Sequence, residues 1–269
     1  VAPAILPVAF WRTVYAGSRR SRQPVRESAA MIDWRRIDQH TLETRPYRWA
    51  VIDRLYAPAD AAALAKSFPR DRFKHLSDYG GEKDFEYESR ELIGMGASTI
   101  SRPARLSSAW RALANDLLSR EYRKAMSALI GIDLSGAALE VNVFHYPPGG
   151  SLGPHPDLSD KIVTHVLYFN ESWNDADGGC LTILGSSNAD DVLKTVSPIV
   201  GNSAILVRSD NSWHAVTPVV RGCRSSRRSL TATFYRPGSI STMWPPGDTP
   251  QLHDYPPSRW NRWRKRLAG

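Results

Sequence analysis

The residues in this sequence with the most evident chemical potential are His155 and Asp157, in the tripeptide HPD. In an extended segment residues i and i+2 point the same way, so both side chains can reach one point while Pro156 faces away. His214, in NSWHAV, lies 59 residues further on, directly after the apolar run SAILV, and so belongs to the end of a different strand. Two imidazoles and one carboxylate on one face of a metal leave the opposite positions open, the arrangement of non-haem Fe(II) sites that work with O2. An HxD tripeptide alone is a weak signal, and a single histidine is more often a core or surface residue than a ligand. The order of the surrounding elements is what gives it weight.

Those elements change character along the chain. After Gly136 the runs LEVNVFHY, KIVTHVLYF, CLTIL, SAILV and SLTATFY show the alternation or β-branched enrichment of strands. Turn clusters separate them: PPGG at 147–150, DADGG at 175–179 and SDNS at 209–212. Upstream, WAVID leads into an alanine-rich amphipathic stretch closed by Pro69, which reads as strand then helix. Residues 70–103, charged and glycine-punctuated, read as an irregular segment. Residues 104–130 carry apolar residues at helical spacing and read as one long amphipathic helix. Helices first and short strands afterwards predict an α+β fold: a sandwich or jelly roll whose sheet is buttressed by the N-terminal helices. No internal repeat is visible.

At 269 residues, with 42% hydrophobic and 23% charged residues, the chain fits one domain with flanking extensions, or two small domains at most. Its formal charge of +8 sits at the ends. Residues 1–30 hold five arginines against Glu27, residues 254–269 hold five cations against Asp254, and the span 31–253 is formally neutral. A neutral body does not build the broad positive face that phosphate-driven binding needs, so no nucleic-acid partner is expected. The apolar opening, Val1 to Trp11, is 11 residues long, short of a membrane span, and its arginines follow rather than precede it, so neither a membrane role nor targeting is expected. Met31 opens a segment that resembles a natural start. We therefore expect a disordered or non-native leader over 1–30, a single domain over 31–253 and a basic tail over 254–269, with the stretch from Pro245 to Gly269 wrapping the surface or fraying. Within the domain the expected parts are a helical N-terminal portion, 46–130, and a jelly-roll core, 138–236. Two cysteines, Cys180 and Cys223, make no disulfide framework, and a reducing, cytoplasmic setting is the expectation.

The stretch H155-P-D, T-H-V-L-Y-F-N-E-S-W, D-G-G-C-L-T-I-L, S-W-H214-A-V-T-P-V and R227-R-S-L-T-A-T-F resembles the Fe(II)/2-oxoglutarate-dependent oxygenases, specifically their prolyl-4-hydroxylase-like branch. The resemblance covers about residues 138–235, and fades back toward 46. It implies a double-stranded β-helix enclosing Fe(II) and 2-oxoglutarate, with O2 as second cosubstrate. It implies His155, Asp157 and His214 as the iron ligands. It also implies an arginine for the far carboxylate of 2-oxoglutarate, a task that suits a planar fork that never deprotonates. Arg227 is the first choice, with Ser229 two residues on and Thr231 continuing the face. Arg227 lies 13 positions after His214, a little more than usual for this branch, and Arg224 with Ser226 forms a competing R-x-S. Counting back from SLTATFY favours Arg227. Tyr168 matches a tyrosine that reaches the far carboxylate, and Tyr146 another near the metal; Asn142 and Thr164 share their inward faces. Trp173, Gly178 and Gly179 match a structural W…GG turn.

What the resemblance implies is a dioxygenase that hydroxylates an unactivated C–H bond and releases succinate and CO2. The carboxylate of Asp157 argues for hydroxylation over halogenation, whose enzymes lack it so that chloride can bind iron. A small-molecule substrate, such as an amino acid, a natural-product intermediate or a sugar, is favoured over a peptidyl proline because the neutral body offers no evident peptide-binding surface. Protein hydroxylation is the alternative within the family. A non-catalytic jelly-roll ligand-binding module is the alternative outside it, and nucleic-acid demethylation is disfavoured by the charge distribution.

Overall fold

The computed structural model describes residue 1, residues 30–80 and residues 84–255. In chain order the elements are α1 (Trp34–Asp38), β1 (Trp49–Ile52), α2 (Pro58–Lys66), β2 (Phe73–Asp78), β3 (Phe85–Ile93), α3 (Ser108–Leu118), α4 (Arg120–Ile130), β4 (Ala138–Tyr146), β5 (Ser151–His155), β6 (Lys161–Tyr168), β7 (Leu181–Leu184), β8 (Val192–Val196), β9 (Ser203–Val207), β10 (His214–Val216), β11 (Arg227–Tyr235) and β12 (Leu252–His253).

All described strand pairs are antiparallel, and the ladder runs β1-β9-β6-β11-β4-β3-β5-β10-β7-β8, with β2 on β3 and β12 on β2. The chain winds alternately between two groups: β4, β6, β9 and β11 form one, and β5, β7, β8 and β10 the other. That winding is the double-stranded β-helix, a jelly roll. One apolar core lies between the helices and the outer face of the first group (Trp110, Leu113, Tyr122, Met126, Val141, Val143, Leu230, Phe234). A second, smaller core lies between the groups (Tyr87, Phe144, Tyr146, Tyr168, Leu181, Ile183, Val216). Alternation along β4 explains the division: Val141 and Val143 face the helices, Phe144 and Tyr146 the interior.

Three expectations are corrected. The long helix over 104–130 is two, because Ser119 is extended (φ −68°, ψ 157°) and its hydroxyl accepts from the Tyr122 N–H, capping α4. Ser107 caps α3 in the same way through the Trp110 N–H. The segment 70–103 is not irregular: it contains β2 and β3, so the portion 46–130 expected to be helical also supplies three strands. The charges of β3 hid its alternation, and they find partners across the sheet: Glu88 lies 3.3 Å from His253 and Arg90 lies 3.4 Å from Asp71. The described part of the tail lies against the domain: β12 pairs β2 and the Tyr255 ring stacks 4.1 Å from that of His145. Most of the expected leader and of the basic tail lies outside the described residues. Among the described residues, no helix is long and apolar enough to cross a membrane.

Two glycine turns fix where β10 can run. A Cβ on Gly178 (φ +69°) would sit 2.0 Å from the Pro218 carbonyl oxygen, and one on Gly150 would sit 2.9 Å from those of Glu86 and Pro147. Because both turns lack a side chain, the strand after His214 is clamped from two sides: Gly179 N–H donates to Thr217, and Val219 N–H donates to Gly150.

His165, on the helix side of β6, is wholly buried; its Nδ1 lies 3.0 Å from the Tyr122 hydroxyl, and burial pushes its imidazolium down to about 3. The unfolded chain binds that proton near pH 6.5 and the folded chain does not, so the stability tied to neutral His165 is complete above pH 6.5 and falls as the pH drops toward 3. Below pH 6, wild type should therefore lose about 1.4 kcal/mol per pH unit relative to His165→Phe in urea unfolding. Parallel pH profiles would show that His165 is protonated in the fold.

Candidate metal centre and cosubstrate cavity

His155 closes β5 and His214 opens β10, and the two are directly opposed in the register. Their ring centroids lie 4.4 Å apart. Each Nδ1 meets a backbone carbonyl two residues back, His155 to Gly153 at 2.9 Å and His214 to Ser212 at 2.8 Å. Nδ1–H donation of this kind fixes the ring and the tautomer, which turns the Nε2 lone pair away from the strand. Asp157, in the extended segment after β5, completes a buried cluster whose three ligand atoms lie within 4.8 Å of one another. The donor set, two imidazoles and a carboxylate, suits a divalent transition metal with open positions.

The Asp157 carboxylate is held from both sides. Lys161 Nζ donates to Oδ1 at 2.6 Å and Thr164 Oγ1 to Oδ2 at 2.7 Å. Burial alone would raise this carboxyl; Lys161, then His214 and His155, hold it well below the usual carboxylate range. Asp157 is therefore an anion, the form that binds metal.

One cavity of about 150 Å³ contains the triad and the residues expected around 2-oxoglutarate. On the inner face of β11, Arg227, Ser229, Thr231, Thr233 and Tyr235 follow at alternate positions. The register sets them beside β4: Arg227 opposite Tyr146, Ser229 opposite Phe144, Thr231 opposite Asn142, Thr233 opposite Glu140. On the other side of β11, Ser229 faces Tyr168 and Thr233 faces Thr164. The cavity thus has an Arg227 end and an Asp157 end, joined by strand rungs.

Arg227 is 2% exposed and pairs with no carboxylate within 4.0 Å among the described residues. Its Nη1 donates to Ser229 Oγ at 2.6 Å, its guanidinium lies 4.6 Å from the Tyr146 ring centre and 5.4 Å from that of Tyr168, and its Nε has no partner. The Tyr168 hydroxyl is buried nearby, also unsatisfied, and burial raises its pKa despite the opposing charge of Arg227. A buried cation beside orphaned donors is a cradle for an anion. Arg224, the competing arginine, is exposed and lines a separate depression with Arg70 and Arg228.

Tyr146, expected near the metal, lies instead against the Arg227 guanidinium on the opposing rung, and two further expected residues have other work. Thr164 donates its hydroxyl proton to Asp157, so it supports the carboxylate of the cluster. Asn142 lines the cavity, and its Oδ1 accepts from Trp244 Nε1 at 2.7 Å, which ties the segment after β11 over the opening. Lys161, Glu140, Thr233, Tyr235 and Met243 also line the cavity and were not foreseen. Lys161 had one signal, its place four residues after Asp157; Glu140 shares the strand parity of Asn142.

Residues 141–235 match the sequence model of the 2OG-Fe(II) oxygenase superfamily. No curated protein matches the chain in sequence. Solved structures similar to it include a Pseudomonas putida prolyl-4-hydroxylase at 22% identity, covering 70% of this chain and 92% of that one with a TM-score of 0.49. Another is a Trichoplax adhaerens prolyl hydroxylase in complex with a hypoxia-inducible-factor peptide fragment, at 17% identity, covering 70% and 83% with a TM-score of 0.44. AviO1 from Streptomyces viridochromogenes Tue57 is similar at 12% identity, covering 80% and 99% with a TM-score of 0.47. The matched segment, residues 141–235, holds both histidines and the aspartate of the cluster, and the superfamily whose model it matches comprises enzymes that use Fe(II), 2-oxoglutarate and O2.

Proposed function

We propose that His155, Asp157 and His214 hold the Fe(II), and that Arg227, with Ser229, Tyr168 and Tyr146, receives the far carboxylate of 2-oxoglutarate. The observation that carries this reading is Arg227 itself: a buried guanidinium without a carboxylate partner, in the same cavity as the buried triad. A buried charge is tolerated when a counter-charge meets it, and a dicarboxylate reaching from the metal end supplies one. The family's Fe(II), when bound, supplies the oxidant that removes hydrogen from a C–H bond, with succinate and CO2 as the coproducts. The chain's own residues do the rest. Lys161 and Thr164 keep Asp157 ionised and oriented, the Gly153 and Ser212 carbonyls aim the imidazoles, and Tyr146, Tyr168 and Phe144 keep water from the Arg227 end.

The reading extends to hydroxylation of a small molecule, in the manner of the prolyl-4-hydroxylase-like branch. Its support is the narrow cavity and the segment after β11 drawn over it by the Trp244 to Asn142 and Ser241 to Glu140 hydrogen bonds. Residues 31–253 are read as one oxygenase domain because the helical and interior cores share strands β4, β6 and β9. The free thiols of Cys180 and Cys223 are in keeping with a reducing, cytoplasmic setting.

Anaerobic titration of the protein with Co(II) should show one saturable site whose affinity drops at least a hundredfold in His214→Ala with the thermal unfolding midpoint within a few degrees; unaltered binding would remove His214 from the ligand set. With Fe(II) bound, 2-oxoglutarate should bring up a visible charge-transfer band. Its half-saturation should rise by roughly 30-fold or more in Arg227→Met, the effect of losing about 2 kcal/mol of charge-assisted hydrogen bonding, and stay unchanged in Arg224→Met. The reverse pattern would move the anchor to Arg224.

A further inference from the structure

Glu140 is the second uncompensated charge of the cavity. It lies on the inner face of β4, is 3% exposed, and has no lysine, arginine or histidine within 4.0 Å among the described residues. Its two carboxylate oxygens accept only from neutral hydroxyls, Oε2 from Tyr235 at 3.2 Å and Oε1 from Ser241. The cation that shares its cavity, Lys161, is already bonded to Asp157 at 2.6 Å. Burial raises the Glu140 carboxyl and Glu91 across the β3–β4 ladder adds to that, outweighing the hydroxyls of Ser241 and Tyr235 and the field of Lys161, which favour the anion.

Position completes the case. Glu140, Thr233 and Thr164 stand opposite one another on β4, β11 and β6, and Thr164 bonds Asp157. At about 4.8 Å per strand, Glu140 is about 10 Å across the sheet from Thr164. It is six residues along β4 from Tyr146, whose rung holds Arg227. On the reading above, 2-oxoglutarate extends from the metal toward Arg227, so Glu140 lies beyond its opposite end. Of the cavity's lining residues, Leu158 and Thr242 are exposed and Met243 is half-buried.

We propose that Glu140 determines specificity by receiving a basic nitrogen of the substrate, which makes the substrate a small amine, an ammonium or guanidinium compound. The proposal rests on the oxygenase reading of the site. A carboxylate with only neutral donors in a low-dielectric pocket is poorly compensated alone and strongly favoured by a bound cation, just as Arg227 is by a bound anion. Tyr235 and Ser241 orient it for that contact.

The test uses matched cation and neutral pairs: L-lysine with Nε-acetyl-L-lysine, L-arginine with L-citrulline, and putrescine with 1,4-butanediol. Each compound is assayed for stimulated succinate release by the Fe(II)-loaded protein and, by calorimetry, for binding to the Mn(II)- and 2-oxoglutarate-loaded protein. In at least one pair the cationic member should act or bind at least tenfold better. Glu140→Gln should erase that preference, and Glu140→Asp should restore part of it. Tyr235→Phe removes one hydrogen bond but keeps the charge, and should keep the preference, which a merely structural role for Glu140 would not explain. Equal behaviour of the pairs, binding of neither member, or a preference that survives Glu140→Gln would overturn the proposal. Failure of the oxygenase reading shows separately, as absence of the Fe(II)·2-oxoglutarate charge-transfer band in the wild type.

Discussion

A full charge inside a protein must meet an opposite charge or a dense set of hydrogen bonds, and the interior of this jelly roll is arranged around that constraint. At one end Asp157 satisfies it within the chain, through Lys161 and Thr164. At the other end Arg227 does not: it leans on the faces of two tyrosines and bonds a serine, and no carboxylate of the described chain reaches it. On the proposed reading, a dicarboxylate extending from the triad supplies the counter-charge that Arg227 lacks.

The double-stranded β-helix makes that arrangement economical. Its two groups of strands alternate in the chain, so β5 and β10, distant in sequence, lie side by side and bring His155 opposite His214. The inner face of β11 serves as a ruler: each second residue is one step of about 6.6 Å from the anion end toward the metal end. The glycines at 150 and 178 permit the close backbone approach that seats the strand after His214, which is why turns remote from the metal bear on its geometry.

Much of this was legible in the sequence, for physical reasons that can be named. The strands from β4 onward alternate cleanly because one face is buried, and the HxD pair follows from the period of an extended chain. Arg227 was separable from Arg224 because SLTATFY fixes the parity of β11. The strands β2 and β3 were not legible, since their charged residues find partners only in the folded sheet, Glu88 with His253 and Arg90 with Asp71. The break at Ser119 was missed because serine is tolerated within helices, and its value as a cap depends on the backbone turning there. Lys161 and Glu140 escaped notice for a related reason. A charge in a strand reads as a solvent-facing residue until the register shows which side of the barrel it is on.

The most direct measurement is a crystal structure of the protein grown anaerobically with Fe(II) and 2-oxoglutarate, with data collected at the iron absorption edge. The account expects one anomalous peak at bonding distance, about 2 Å, from His155, Asp157 and His214, with the far carboxylate of 2-oxoglutarate on Arg227. An iron peak elsewhere, an empty triad at saturating metal, or 2-oxoglutarate bound away from Arg227 would contradict it.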